Sequence, residues 1–177
     1  MAESDLTQEY IRSLFDYDPS TGTLTWRERP KEHFQSTRLW RRHLTRWRGK
    51  EAGYIDKSNG YRRVDIDGVG YRAHRVAWLH YHGELPASFI DHANGVRNDN
   101  RISNLRCVNR SQSNMNRSMW SKKKIKAKGV YFDRGKFLVS ITANRQVHRI
   151  GWFDTIEEAS EAYQKAASAL HGEYARF

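Results

Sequence analysis

An acid, an imidazole and a series of amides lie close together in one part of this chain. Asp91 and His92 are adjacent, and seven asparagines occur between positions 94 and 116. They are Asn94, Asn98, Asn100, Asn104, Asn109, Asn114 and Asn116. Asparagine is a poor former of helix and strand interiors, so regular structure does not account for this density.

These residue types suit metal-assisted hydrolysis. Carboxylate and amide oxygens are the ligands that Mg²⁺ or Mn²⁺ prefers, and an imidazole with a pKa of about 6.5 can take a proton from water. We therefore expect one divalent metal ion, with Asp91 as an oxygen ligand. The alternative is that Asp91 and the asparagines only hydrogen-bond to turn backbones, as these residues often do.

The charge of the chain predicts a polyanionic partner. Its 177 residues carry a formal net charge of +11, which is typical of nucleic-acid-binding proteins but also compatible with a merely soluble basic protein. Cys107 is the single cysteine, so no disulfide can form within the chain. No apolar run approaches the roughly 20 residues of a membrane span, and the N-terminus lacks the order of a signal peptide. We expect a cytoplasmic protein without a membrane partner.

The elements around Asp91 are predicted to be a strand, a loop, a second strand and a helix. Phe89 and Ile90 form a short strand leading into Asp91, Leu105–Val108 returns, and a helix runs from Asn109 to about Met119. Upstream, we predict a helix over 7–16, a strand ending at Trp26, and an antiparallel meander. Its turns are Asn59-Gly60 and Asp67-Gly68, and a helix over 74–82 follows.

Two segments are basic and contain no acid. Residues 38–50 place Arg42 and Arg46, with four further basic residues, around Trp40 and Trp47. This mixture suits a surface that follows phosphates and stacks on bases, or equally a solvated loop or helix whose tryptophans dock in the core. No clear period marks residues 27–52. The second segment, 117–128, includes Lys123 and Lys124 and is predicted to be a linker or an arm along a phosphate backbone.

The last fifty residues predict a small module of three antiparallel strands and one helix. The strands are 129–132, 136–142 and 146–153, with Phe137, Val139 and Ile141 on one face. Thr155 and Glu158 form a capping box, and an apolar stripe follows to Gly172. The stripe comprises Ala159, Ala162, Tyr163, Ala166 and Leu170. Overall we predict an α+β fold.

Residues from about 71 to 116 resemble the HNH nucleases, in the homing-endonuclease branch found in phages and introns. The resemblance rests on A-H-R-V-A-W, H-G-E-L-P, I-D-H-A-N-G, N-D-N-R-I-S-N-L-R and Q-S-N-M-N, with weaker similarity back to residue 7. It implies a ββα-metal fold with His92 as general base. Asp91 and Asn114 would bind the metal, with Asn116 as an alternative ligand. Asn104 would brace the loop that orients the histidine.

The resemblance to the HNH nucleases also suggests a role for His74 or Arg75. The family carries A-H-R before its helix, so His74 or Arg75 is a candidate phosphate contact. A buried, hydrogen-bonded histidine at position 74 is an equal alternative.

Residues 127–177 resemble the ethylene-response-factor (APETALA-two) DNA-binding domain. The similarity lies in K-G-V-Y, G-K-F-L-V-S-I, and the segment from R-I-G-W-F-D-T through to L-H-G. Such domains are known fused to HNH nucleases in phages and bacteria. The resemblance implies that the sheet reads DNA, and the candidates are Arg134, Lys136, Arg145 and Arg149. A folded module whose strands are only generically basic is the alternative.

We therefore expect a nuclease domain over 1–116, a basic linker over 117–126 and a DNA-binding domain over 127–177. The resemblance implies a phage-encoded homing endonuclease that hydrolyses double-stranded DNA to a 5′-phosphate and a 3′-hydroxyl. One site per chain predicts nicking by a monomer or double-strand cleavage by a homodimer. The rival interpretations are a DNA-binding regulator with an unused site and a non-specific nuclease.

Overall fold

The computed structural model describes residues 6–116 and 125–177. It shows an α+β protein with several antiparallel sheets, which confirms the predicted fold class. The chain divides into two compact units, Met1–Cys107 and Val108–Phe177. Within the two described ranges, no helix has the length and apolar character needed to cross a membrane.

In its described part, residues 6–107, the first unit is built from three longer helices and four hairpin-like pairings of short strands. In chain order it contains α1 (Gln8–Leu14), β1 (Phe15–Asp18), β2 (Thr23–Trp26), a 3₁₀ turn (Lys31–His33), α2 (Thr37–Trp47), β3 (Tyr54–Ile55), β4 (Arg62–Ile66), β5 (Val69–Arg72), α3 (Ala73–His82), β6 (Phe89–His92), a second 3₁₀ turn (Ile102–Asn104) and β7 (Leu105–Val108). Strand β1 pairs with β2, β4 lies between β3 and β5, and β6 pairs with β7. The last residue of β7 begins the second unit.

Helix α1 ends earlier than the sequence predicts. Thr7 caps it, since the Thr7 hydroxyl accepts a hydrogen bond from the Tyr10 N–H. Phe15, however, is extended and pairs with Trp26 in the β1–β2 hairpin. The predicted helix over 7–16 was therefore wrong at its end, because a strand with a buried ring at its start replaces the last turn.

Buried and exposed residues alternate along the meander, so the core lies against one of its faces. Along β4, Val64 and Ile66 are buried while Arg63 and Asp65 are exposed, as expected for a sheet with one wet face. The Asp67-Gly68 turn joins β4 to β5, as predicted. The core of this unit consists of buried apolar residues from α1, both small sheets and α3, among them Ile11, Leu14, Phe15, Leu24, Val64, Ile66, Val76 and Leu79.

Helix α2 lies within residues 27–52, where no period was recognised. Ser36 caps it by accepting a hydrogen bond from the Leu39 N–H. The Trp40 ring nitrogen donates to the Arg29 carbonyl at 3.0 Å, and the Trp47 ring lies 6.3 Å from that of Trp26. The segment is thus a basic helix with tryptophans set against its own unit. Its many arginines hide the short apolar stripe that would have revealed it.

The second unit contains α4 (Arg110–Met115), β8 (Val130–Asp133), β9 (Lys136–Ala143), β10 (Gln146–Phe153), α5 (Ile156–His171) and a 3₁₀ turn (Gly172–Tyr174). Strand β9 is central, and α5 packs on the sheet. This arrangement confirms the predicted three-stranded sheet on one helix. The predicted helix from Asn109 ends at Met115 in the described residues, and positions 117–119 lie outside them.

Helix α5 begins at the predicted capping box of Thr155 and Glu158 and ends at Gly172. Its buried side differs by one position from the predicted stripe. Leu170 is exposed, while Ala167 and His171 are buried, and His171 Nε2 lies 3.0 Å from the Thr142 carbonyl oxygen. The stripe follows i, i+4, i+8 and i+12 from Ala159, so the last turn presents His171 to the sheet.

Candidate active site

Asp91 and His92 end strand β6. Neighbouring strand residues point to opposite faces, so the two side chains meet different surroundings. His92 is 3% exposed, whereas the carboxylate of Asp91 keeps 17% of its accessible surface. The imidazole therefore faces the interior of the first unit, and the acid lies nearer the surface.

The imidazole of His92 is oriented by Asn100. His92 Nε2 lies 3.1 Å from Asn100 Oδ1, and both residues are buried. Because an amide oxygen only accepts hydrogen bonds, Nε2 carries the proton of neutral His92 and Nδ1 carries the basic lone pair. This is the protonation state that a general base needs.

Aromatic rings enclose the same imidazole. The ring of His74 stands edge-on at 5.0 Å from His92, and the ring of Tyr61 lies 5.8 Å away. Burial lowers the pKa of His92 below its usual value, and the hydrogen bond that Nε2 donates to Asn100 opposes that shift. Burial, reinforced by the neighbouring charges of His92 and Arg72, lowers the pKa of His74 to about 3. His74 is thus a neutral, buried histidine, and His92 is held in its neutral form near pH 7.

The backbone of Asn100 is held by the β1–β2 hairpin. The Tyr17 hydroxyl donates to the Asn100 carbonyl at 2.7 Å, and the Ile102 N–H donates to the Pro19 carbonyl at 3.2 Å. Gly22 has a φ of +77°, and a Cβ placed there would lie 2.4 Å from the backbone of Asn100 and Arg101. Only glycine fits this turn, because the hairpin and the loop touch backbone to backbone.

Asn104 ties together the loop after His92. Its carbonyl accepts from the Ala93 N–H at 2.8 Å, and its Oδ1 accepts from the Asn94 N–H at 2.9 Å. Its Nδ2 donates to the Asp99 carbonyl at 2.8 Å. One buried amide thus joins both ends of the loop that carries Asn100.

Several of the remaining asparagines serve the backbone. Asn94 Oδ1 accepts from the Val96 N–H, which forms an Asx turn, and its Nδ2 donates to Asp99. Asn109 caps α4 in a reciprocal capping box with Gln112. The alternative interpretation of the asparagine run therefore holds for these two residues, while Asn100 and Asn104 act on the surroundings of His92.

Asp91 is the predicted carboxylate ligand of the metal, and the structure shows its surroundings. Arg106 NH2 donates to Asp91 Oδ2 at a long 3.3 Å, and the acid stays partly accessible. Within residues 6–116 and 125–177 no cluster of three His, Cys, Asp or Glu side chains with metal-binding geometry exists. A hard ion bound through one carboxylate and one amide needs no such cluster, since water and phosphate fill its other positions. The carboxylate of Asp91 is an oxygen donor of the kind that Mg²⁺ and Mn²⁺ prefer.

The two candidate amide ligands lie at the end of α4, in the second unit. Asn114 is exposed in the last turn, whereas Asn116 is buried at the C-cap, where its N–H bonds to the Gln112 carbonyl. Residues two apart on a helix point in nearly opposite directions. Asn114 is therefore the accessible amide of the pair.

A family model of the HNH endonucleases matches residues 71–115. Residues 71–115 are thus similar to the HNH endonucleases. We call them the HNH region; the family is one of phosphodiester hydrolases. Asp91, His92, Asn104 and Asn114 all lie inside the HNH region, and Asn116 lies one residue beyond it.

One relative extends the similarity beyond the HNH region. An uncharacterised HNH endonuclease of Acanthamoeba polyphaga mimivirus is 31% identical over 128 residues, which make up 71% of this chain and 66% of the relative. The chain thus spans about two thirds of the length of that relative. No solved structure matches the chain.

The predicted DNA-contacting residues have different settings. Arg42 and Arg46 are exposed on α2, and the Arg46 guanidinium lies 4.8 Å from the Trp47 ring. Arg75 is half-buried in α3, inside the HNH region. Lys123 and Lys124 lie outside the described residues.

In the second unit, the four candidates lie on or beside the strands. Arg134 and Arg145 occupy the two hairpin turns at positive φ, and Arg149 is exposed on β10. Lys136 is also exposed and pairs with Asp154 at 3.0 Å.

The HNH region and its surroundings contain two residues that sequence reasoning missed. Asn100 was counted among the asparagines without a role, although it contacts His92 directly. Tyr17 lies 83 positions before Asn100, and no local pattern connects them. The one sequence signal was Asn98-Asp99-Asn100, because two amides and an acid are more polar side chains than one turn requires.

Proposed function

We propose that this protein is a metal-dependent endonuclease of homing type that cuts double-stranded DNA. One observation carries the proposal: inside an HNH region, a buried neutral His92 is oriented by Asn100 beside the accessible carboxylate of Asp91. A histidine placed only for packing would not need a partly exposed acid beside it and a loop bound at both ends by Asn104.

In the proposed reaction, His92 Nδ1 takes a proton from water as the water oxygen attacks phosphorus. The bond from phosphorus to the 3′ oxygen breaks, and the departing oxygen takes a proton from solvent water, which leaves a 5′-phosphate and a 3′-hydroxyl. Asn100 keeps the Nε2 proton in place, so the imidazolium that forms retains a hydrogen-bond acceptor. Asn104 holds the loop and with it the direction of the ring.

Asp91 and Asn114 are the residues that we assign to the divalent metal. When bound there, such an ion would offset the negative charge that develops on the phosphate during hydrolysis. The oxygen-only donor set supports Mg²⁺ or Mn²⁺ over softer metals. Asn114 is preferred to Asn116 because it is exposed and lies within the HNH region.

Charge and the second unit support DNA as the substrate. The net charge of +11 favours a polyanion, and α2 presents exposed arginines beside an aromatic ring. The three-stranded sheet with its helix is the shape that an APETALA-two-like DNA-binding domain would take, with Arg134, Lys136, Arg145 and Arg149 toward the DNA. A DNA-binding module of this kind favours a site-specific enzyme over a general nuclease.

Incubation of supercoiled plasmid and of one long viral or bacterial DNA with the protein and Mg²⁺ or Mn²⁺ tests the proposal. We expect discrete products that vanish with EDTA and with His92→Ala, while the matched variant His148→Ala on β10 cuts normally. No cleavage by the wild type, with DNA binding intact, would instead indicate a DNA-binding regulator. Random degradation of unrelated DNA and RNA would indicate a non-specific nuclease.

A further inference from the structure

Two arginines converge on one tyrosine beside the candidate active site. The guanidinium carbon of Arg72 lies 4.3 Å from the centre of the Tyr61 ring, and that of Arg97 lies 5.3 Å from it. Arg72 ends β5, Arg97 follows β6 in the loop that Asn104 binds, and Tyr61 precedes β4. Three separate elements thus bring two cations to one aromatic ring.

The ring of Tyr61 also touches the histidines. It lies 5.4 Å from the ring of His74 and 5.8 Å from that of His92. The tyrosine therefore forms part of the wall around the proposed base, and the two guanidinium groups lie one aromatic ring away from it. Nearby positive charge is also among the causes that lower the pKa of His92, with Arg97 contributing.

Two other arginines of the same unit pair with acids, whereas Arg72 and Arg97 lie against an aromatic ring. Arg62 pairs with Glu51 at 2.8 Å and Arg101 pairs with Asp99 at 2.6 Å. Among residues 6–116 and 125–177, neither Arg72 nor Arg97 forms an ion pair with a carboxylate. Two uncompensated like charges on one ring repel each other, so the arrangement gains most when an anion lies between them or beside them.

The pair is also held in place before any ligand binds. Arg97 NH1 donates to the Asn59 carbonyl at 2.7 Å, which fixes its side chain against the Asn59-Gly60 turn. Tyr61, Arg72 and Asn59 line one surface cleft with Asp56, the acid in that cleft. The Asp56 carboxylate is occupied inside its own turn by Ser58 and Asn59. The guanidinium of Arg72 thus lies in this cleft against the Tyr61 ring, and that of Arg97 is held at the same ring by Asn59.

We propose that Arg72 and Arg97, held by the Tyr61 ring, bind a backbone phosphate of the DNA strand that reaches His92. This rests on the proposed DNA-cleaving function and names the groups that position the strand. Arginine presents its donors in a planar fork that matches phosphate, and stacking on an aromatic ring preserves that fork. These two are positioning residues: they place the strand, and His92 acts on the water.

The test measures DNA binding without cleavage, so it does not depend on turnover. The protein is titrated with a labelled duplex that contains a mapped cleavage site, or with a random 30-base-pair duplex if none is mapped, in EDTA across a series of salt concentrations. Arg72→Ala and Arg97→Ala should each weaken binding by about tenfold. Each should also flatten the plot of log affinity against log salt concentration by up to about 0.9, which is the full loss of one phosphate contact.

Two kinds of control variant separate this role from general charge and from folding. Arg27→Ala removes an exposed arginine already paired with Asp16 and should change both quantities much less. Arg97→Lys should retain the salt slope while losing affinity, because charge remains but the fork is lost. Tyr61→Leu should weaken binding because it frees both arginines. Melting temperatures confirm that each variant is folded.

Equal behaviour of Arg72→Ala, Arg97→Ala and Arg27→Ala would overturn the inference while leaving the nuclease proposal intact. Conversely, a wild-type protein that binds DNA through these arginines but never cuts it would overturn the nuclease proposal alone. With cleavage established, the two arginine variants should raise KM more than they lower kcat, as expected for a contact made equally in the ground and transition states.

Discussion

The hydroxyl of Tyr17 donates a hydrogen bond to the backbone carbonyl of Asn100, whose side chain in turn accepts from His92. A strand in the first hairpin thereby holds the residue that orients the proposed base. The HNH region does not include Tyr17, so part of what directs its histidine comes from outside it.

Replacement of Asn100 by alanine should impair cleavage far more than it impairs folding. It leaves the buried Nε2 proton of His92 without its acceptor, which costs about 1–3 kcal/mol of unfolding free energy, and it frees the ring to turn. Single-turnover cleavage rates and urea unfolding measure the two effects. The exposed neighbour Asn98→Ala should behave as wild type. Equal rates in both variants would show that Asn100 does not orient the base.

Gly22→Ala should destabilise the first unit and lower activity together. Its Cβ would lie 2.4 Å from the Asn100 and Arg101 backbones, so the hairpin and the loop must separate. Gly49→Ala is a matched control, since Gly49 has a similar φ of +72° and nothing within 4 Å of its added Cβ. We expect about 1–3 kcal/mol more loss of unfolding free energy at Gly22, from the clash alone. Similar losses of unfolding free energy at both sites would mean that backbone strain at positive φ, rather than the clash, causes the destabilisation.

Stability should fall as the solution becomes acidic below about pH 6.5. Burial lowers the folded-state pKa of His92, and that of His74 to about 3. The unfolded chain then binds protons that the folded chain does not bind. The unfolding free energy should therefore drop by about 1.4 kcal/mol per pH unit for His74 between about pH 6 and pH 4, and His92 adds to this loss in the same direction. Urea unfolding between pH 7 and pH 4 measures this slope. His74→Gln should make it shallower, and an unchanged slope would contradict the assignment.

The pH dependence of cleavage follows from the same burial. Neutral His92 is the active form, and its lowered pKa keeps it neutral to more acidic pH than a solvated histidine. The acid limb of kcat/KM should therefore lie below about pH 6.5. A limb above that value would indicate that another group, or a His92 charged in the resting enzyme, controls the reaction.

Substitutions at the end of α4 should distinguish the two amides. Asn114→Ala should raise the Mg²⁺ concentration needed for half-maximal cleavage by more than about tenfold, whereas Asn114→Asp should keep metal use. Asn116→Ala removes a buried C-cap side chain and should lower stability instead. Calorimetric titration with Mn²⁺ measures the metal affinity of each variant, and thermal melting measures its stability. The reverse pattern would make Asn116 the ligand.

The prediction of the fold succeeded where structure follows from short stretches of chain. The Asp67-Gly68 turn, the capping box of Thr155 and Glu158, and the alternation along β4 are each specified by residues within one turn or one strand. The pairing of Asp91 with His92, and the helix carrying Asn114, were visible for the same reason. Local stereochemistry and hydrophobic period act over fewer than ten residues, so the sequence displays them directly.

The setting of the candidate site depends instead on contacts between distant positions. The sequence around Asn100 does not indicate that its side chain accepts a hydrogen bond from His92. Nor does the sequence around Tyr17 indicate that its hydroxyl binds the carbonyl of Asn100, 83 residues later. Arg72 and Arg97 become a pair only because folding brings both to the ring of Tyr61. Such contacts arise when hydrophobic burial fixes where the strands and loops lie, and burial is a property of the whole unit rather than of any segment. The residues with the chemistry could therefore be named from their order along the chain, but the neighbours that tune and orient them could not.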